Sequence, residues 1–212
     1  ILDVKKKITP KTRAVISTSL FGRTCDLDLI KKFLHQKIFL IEDGAQNFGS
    51  ILKGKNSLNI ADISCTSFFP TKNLGAFGDG GAVFSNRKKI ISKIYKLRNH
   101  GQSSYSIASS NRPGLNSRIG SIQSSILIEK IKKINFKISK QNKLYKKYQK
   151  FFLSNNITGF PLFRNNLETK DSYSSFNIIV KRRRKLITIF KREKIPYKIY
   201  YPKPLYGQYN FK

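Results

Sequence analysis

Two short runs carry the residue types from which covalent amine chemistry is built. Ile63-Ser64-Cys65-Thr66-Ser67-Phe68-Phe69-Pro70-Thr71-Lys72 rises as a strand-like stretch to one lysine, then breaks into a turn with glycines at Gly75, Gly78, Gly80 and Gly81. Some thirty residues upstream, Leu40-Ile41-Glu42-Asp43-Gly44-Ala45-Gln46 is an apolar run ending in a carboxylate. A lysine amine can hold an aldehyde covalently, and an aspartate can pair with a protonated ring nitrogen. An amine (Lys72) and an acid (Asp43), each at the end of a buried strand, are therefore what a pyridoxal phosphate site needs. Phe68 and Phe69 give Lys72 the apolar setting that suits a nucleophile and base. The Ser67 hydroxyl and the backbone amides of the glycines suit a phosphate. Each feature has a plainer reading: Asp43 could cap a turn, Lys72 could be one of many solvated lysines, and the glycines could simply make a tight turn.

The elements that must position these groups follow from periodicity. Ala14 to Leu20, Ile38 to Ile41, Ile63 to Phe69 and Gly81 to Ser85 read as strands. Asp26 is placed to N-cap a helix running to about His35, with Leu29, Ile30, Phe33 and Leu34 inward. Lys88 to Arg98 reads as a second helix with Ile90, Ile91, Ile94 and Leu97 inward. Gly44 to Lys55 reads as loop, closing on a Lys53-Gly54-Lys55 turn. Strands alternating with helices predict an α/β fold with a mostly parallel sheet over residues 1–120. Gly101 to Arg118 turns to Ser, Asn, Gly and Pro and reads as a long loop. A long connecting helix is expected next, roughly Ser121 to Phe152 within residues 121–154, its lysine-rich face read as solvated. After a break that includes Gly159 and Pro161, residues 155–212 read as a small α+β domain: strand-like Ser175 to Val180, a basic helix from Arg183 to Lys194, and strand-like Lys198 to Tyr201.

The chain has 212 residues, with 42 Lys and Arg against 11 Asp and Glu, a formal net charge of +31. Such a charge by itself suggests nucleic acid or an anionic membrane. Yet Lys, Ile, Asn, Phe and Tyr, all abundant here, share A/T-rich codons, so base composition accounts for much of the charge without a polyanionic partner. Neither an aromatic RNA-binding signature nor a helix-turn-helix pattern accompanies it, and the run Lys181-Arg182-Arg183-Arg184-Lys185 reads as a solvated turn. No run of eighteen apolar residues is present, so no transmembrane helix is expected. Cys25 and Cys65 have neither metal nor disulfide spacing, and His35 and His100 lack a companion ligand, so no metal site is expected and a reducing cytoplasm is the default. The chain contains no Met and opens on Ile1-Leu2-Asp3-Val4, which creates the expectation that an N-terminal piece is absent.

These residues resemble the DegT/DnrJ/EryC1/StrS sugar aminotransferases, pyridoxal 5'-phosphate (PLP) enzymes of the aspartate-aminotransferase-like fold type I. The resemblance runs over essentially the whole chain. Its strongest blocks are Ile41-Glu42-Asp43-Gly44-Ala45-Gln46 and Ser67 through Gly75, joined by Gly78-Asp79-Gly80-Gly81-Ala82, Arg98-Asn99-His100-Gly101-Gln102 and Asn116-Ser117-Arg118. The middle region looks most like the branch that aminates UDP-linked 3-keto-N-acetylglucosaminuronate. The resemblance implies a catalytic Lys72 that holds the cofactor and shuttles the proton. It implies cofactor-binding roles for Asp43 at the pyridine nitrogen, Gln46 over the ring hydroxyl and Ser67 at the phosphate. It implies that Asn116 reaches the phosphate of a neighbouring subunit's cofactor, hence a homodimer with a shared active site. It further implies transfer of an amino group, with glutamate as donor, to a nucleotide-linked ketosugar for surface polysaccharide or glycan synthesis. Relatives with His in place of the lysine are dehydratases, so Lys72 favours amino transfer. Departures stand at Ala108 and Ser110, where the family has Tyr and His, at Ile119-Gly120-Ser121, and at Tyr206, where a His is common. The family's N-terminal phosphate-binding helix has no counterpart here. These departures motivate one alternative, a catalytically inactive remnant of the fold. The basic composition motivates the other, a nucleic-acid-binding protein.

Overall fold

Alternating burial along Phe39–Asp43 and Ile63–Ser67 sends Leu40, Glu42, Ser64 and Thr66 inward, as a half-covered strand requires. The computed structural model describes residues 1–102, 113–157 and 168–208. Ala108, Ser110, Gly159 and Pro161 lie outside the described residues. A short helix, α1 (Leu2–Lys7), precedes strand β1 (Ala14–Thr18). Helix α2 (Leu27–Phe33), strand β2 (Phe39–Asp43), strand β5 (Ile63–Ser67), strand β6 (Gly81–Phe84) and helix α3 (Lys88–Arg98) continue the α/β succession. Between β2 and β5 lies a hairpin of two short strands, β3 (Ile51–Leu52) and β4 (Lys55–Asn56).

The main sheet has the order β1-β2-β5-β6. β1 pairs with β2 and β2 with β5 in parallel, while β6 returns antiparallel to β5. The expected mostly parallel sheet is thus present. Leu27 and Ile30 of α2 pack with Leu40, Leu52, Ile60 and Ala61 into a fully buried cluster on one sheet face. Asp26 caps α2, its carboxylate accepting the Leu29 N–H at 3.1 Å. On the opposite face Ile16 and Val83 are exposed. Buried Asp62 fastens the far end of the sheet: it accepts the Leu40 N–H at 2.9 Å and an Arg87 N–H at 2.6 Å.

Four expectations change. The Gly44 to Lys55 stretch is not all loop, because Lys53 and Gly54 both take positive φ (48° and 74°). That is the geometry of a two-residue turn matched to strand twist, and it closes the β3–β4 hairpin. The long helix is two, α4 (Ser121–Ile131) and α5 (Ile134–Ser154), since Lys133 leaves helical geometry at φ −106°, ψ 3°. Helix α3 has the expected bounds, but Ile91 and Leu97 are exposed. Finally, Ser175 to Val180 and Lys198 to Tyr201 form no strand, having no laddered neighbour among the described residues. The one strand after α5 among the described residues, β7 (Thr169–Lys170), adds to the β3–β4 hairpin instead.

Contacts divide the chain into two compact units, Ile1–Asn177 and Ile178–Lys212; the sequence reading divided it at 120 and 154. The later division follows from α5, which buries Ile138 and Tyr145 within the first unit. There Tyr145 stacks on Tyr173 with centroids 3.6 Å apart, beside Phe176. The second unit holds a basic helix, α6 (Arg183–Arg192), and a 3-10 turn at Leu205–Gly207. No described helix is long and apolar enough to cross a membrane.

Leu40, wholly buried at the centre of the cluster, sets a test of this packing. Leu40→Ala is expected to cost about 2–5 kcal/mol, measured by urea unfolding of variant and wild type.

Candidate active site at the strand ends

β2 and β5 run in parallel about 4.8 Å apart, with Asp43 opposite Cys65, and β5 continues two residues further to Ser67, so both strands point to the same C-terminal edge of the sheet. In open α/β sheets this edge is where ligands bind. Asp43 is the last residue of β2 and is half-buried. Its Oδ1 accepts the Ala45 N–H at 3.1 Å, and that is its one side-chain hydrogen bond among the described residues. Gln46 stands in the following turn, its Oε1 accepting the Phe21 N–H at 2.7 Å. Ser67 ends β5 and turns the chain there, its hydroxyl accepting the Phe69 N–H at 3.2 Å.

Lys72 follows in a tight reverse turn. Its own N–H donates to the Phe69 carbonyl at 2.9 Å, and the Ala76 N–H returns to Phe68 at 2.8 Å. Gly75 is required here by close approach: a Cβ would fall 2.4 Å from the Pro70 carbonyl oxygen. Lys72 is half-buried, with exposed Thr71 before it and buried Asn73 and Leu74 after it, and its ammonium makes no hydrogen bond or ion pair among the described residues. Asn116 stands elsewhere: it is exposed, bridged through its backbone to Asn99, and hydrogen-bonded to none of the other four. Asp43, Gln46, Ser67 and the turn of Lys72 thus all lie at or after the C-terminal ends of β2 and β5, whereas Asn116 is bridged to Asn99.

Directly behind Asp43 lies a feature the sequence reading did not single out. Glu42 is completely buried. Its carboxylate accepts from Ser19 Oγ at 2.8 Å, Asn47 Nδ2 at 2.9 Å and Ser64 Oγ at 3.2 Å. These donors come from the end of β1, the loop after β2 and strand β5, so one carboxylate ties three elements together. Burial pushes the Glu42 carboxyl above its ordinary value, its three hydrogen bonds pull it back, and the neighbouring Asp43 charge adds to the rise. Asn47 donates a second time, to Ser57 Oγ at 2.9 Å. The sequence signal was Glu42 directly after the apolar run Ile38 to Ile41; its donors, at Ser19, Asn47 and Ser64, lie too far apart in sequence to be read.

The donor set fits the cofactor. An available carboxylate oxygen suits a protonated ring nitrogen, an unpartnered amine suits an aldehyde, and a strand-end hydroxyl suits a phosphate. Comparison with known proteins agrees. The model of the DegT/DnrJ/EryC1/StrS aminotransferase family matches residues 1–212, and the chain belongs to that family, whose members are PLP-dependent sugar aminotransferases. It is 35% identical over 205 residues to the UDP-2-acetamido-2-deoxy-3-oxo-D-glucuronate aminotransferase of Pseudomonas aeruginosa, covering 95% of this chain and 55% of that protein. It is 38% identical over 128 residues to a UDP-N-acetyl-3-dehydro-alpha-D-glucosamine 3-aminotransferase of Acidithiobacillus ferrooxidans, covering 60% of this chain and 34% of that one. Among solved structures, DesV of S. venezuelae in complex with a ketimine intermediate superposes with a TM-score of 0.90 at 27% identity, covering 99% of this chain and 56% of that one. The chain spans about half the length of the relatives it matches over most of its length.

The raised Glu42 carboxyl has a pH consequence. Between its ordinary value of 4.5 and its higher folded value, the native state holds a proton the unfolded chain has released. Glu42's contribution to stability therefore declines as pH rises through that window. Compared with Glu42→Gln, wild type is expected to lose stability as pH rises above the ordinary value of 4.5, read as the change with pH in the gap between their urea midpoints.

Proposed function

We propose that this chain carries the cofactor-binding core of a PLP-dependent aminotransferase that moves an amino group from glutamate to a nucleotide-linked ketosugar, a UDP-linked 3-keto sugar first among them. The observation that supports this reading is that β2 ends at Asp43 and its parallel neighbour β5 ends two residues further on at Ser67, so that Asp43 and the turn carrying Lys72 both follow the C-terminal end of the sheet. The similarity to the Pseudomonas aeruginosa aminotransferase supports the choice of sugar.

When bound, PLP supplies an electron sink for a proton lost from the carbon bearing the amine. The chain's own residues supply the rest. Asp43, with one oxygen engaged by Ala45, would offer the other to the ring nitrogen and hold it protonated. Gln46, whose Oε1 accepts the Phe21 N–H, would contact the ring hydroxyl. Ser67 donates its hydroxyl proton to the phosphate. The Lys72 amine would hold the resting cofactor and, once freed by the donor's amine, would take and return the proton at the reacting carbon. Asn116, exposed and outside this edge, serves the phosphate of a second subunit's cofactor in a homodimer. The reading places the reaction in the cytoplasm, in the synthesis of a surface polysaccharide or glycan.

The test supplies purified protein with PLP, L-glutamate and the UDP-linked 3-keto-N-acetylglucosaminuronate, and follows 2-oxoglutarate release. Lys72→Ala is expected to abolish turnover, and retained multiple turnover would contradict the reading. Asp43→Asn is expected to weaken PLP binding about tenfold or more through the lost charge pair, measured by absorbance titration.

A further inference from the structure

The lysines of α4 and α5 are not all solvated. Lys132 pairs with Glu129 and Lys140 lies over Phe136, both contacts within the same helix. Lys130 and Lys137 behave differently and reach across to the turn that carries Lys72. Lys137 Nζ donates to the Asn73 carbonyl at 2.7 Å and to the Lys72 carbonyl at 3.3 Å. Lys130 Nζ donates to the Gly75 carbonyl at 2.7 Å and lies 4.4 Å from the Phe77 ring centroid. Burial, and secondarily the charge of Lys130, lower the Lys137 amine from its ordinary value, as expected of ammonium groups drawn toward one small target.

The target needs them. A tight turn between a strand and a glycine-rich segment leaves carbonyls without ladder partners, and such groups must find donors. Asn73 completes the attachment: its Nδ2 donates to the Ser172 carbonyl at 2.5 Å and its Oδ1 accepts from Gln141 Nε2 at 3.3 Å. Three consecutive attachments on α4 and α5 (Lys130, Lys137 and Gln141) thus hold residues 72–75 from one side. Lys137 and Gln141, four residues apart on α5, share one helical face.

We propose that Lys130 and Lys137 are positioning residues for Lys72, clamping the carbonyls of its turn so that its side chain leaves a fixed backbone toward the Asp43 edge. The proposal rests on the reading of Lys72 as the cofactor-binding amine, and its test separates the two. Purified protein is mixed with PLP. The rate of visible adduct formation that depends on Lys72 is taken as the difference from Lys72→Ala. Lys137→Met is expected to slow it on the order of tenfold or more, the scale of a misplaced reacting group. Lys137→Arg, which keeps a cationic donor, restores most of the rate. Lys146→Met, on the opposite face of α5, leaves it unchanged, and Lys130→Met replaces Lys137→Met should the latter not fold. In parallel, hydrogen exchange at the Lys72 and Ala76 amides, which close the turn, is expected to quicken in Lys137→Met. Adduct formation at the wild-type rate in Lys137→Met would overturn the clamp. If wild type forms no Lys72-dependent adduct, the reading of Lys72 fails instead and exchange alone decides the clamp: quicker exchange upholds it and unchanged exchange overturns it.

Discussion

One buried carboxylate holds the candidate site together. Glu42 sits in a part of the sheet where an unsatisfied charge would be costly, and it is satisfied by donors from three separate segments. Oε1 accepts from Ser19 and Asn47 and Oε2 from Ser64, so the end of β1, the loop after β2 and strand β5 all meet on one carboxylate. The functional consequence is indirect. Glu42 faces the core while its neighbour Asp43 faces the other side of the sheet. Fixing the first fixes where the second leaves the strand. The loop that Asn47 anchors is also the one that carries Gln46.

The other half of the site is fixed by a different device. Lys72 is not on a strand and has no ladder to orient it. Its turn is instead gripped by its own returning hydrogen bonds to Phe68 and Phe69 and by ammonium groups from two helices. A polar core behind the acid and a cationic clamp behind the amine are two solutions to one requirement, that two reactive groups from distant sequence positions meet at one sheet edge. Part of the large positive charge has a local purpose here, in capping carbonyls, apart from any field it creates around the protein.

Much of this arrangement was legible from the residues, for reasons that can be named. The α2 cap at Asp26 is a local hydrogen bond, and the span of α3 follows from local periodicity, so both are found where expected. β2 and β5 are found where their apolar runs predict strands, but they end at Asp43 and Ser67, each two residues from the expected Ile41 and Phe69. What escaped was non-local or very short. The β3–β4 hairpin rests on two-residue strands, below the length at which alternation can be recognised. Ser175 to Val180 has the composition of a strand, yet strand formation depends on a neighbour, which composition cannot supply. The contacts of Lys130 and Lys137 span 55 to 65 residues, and nothing in a lysine-rich helix marks which lysines will turn inward.

The central claim is that Lys72 is the amine to which PLP attaches. Its most direct test is borohydride reduction of the purified protein mixed with PLP, followed by digestion and mass mapping of the pyridoxyl label. The account predicts a dominant label on the peptide containing Lys72, despite the many competing surface lysines, and its loss in Lys72→Arg. A label scattered over surface lysines, with none preferred at Lys72, would contradict it.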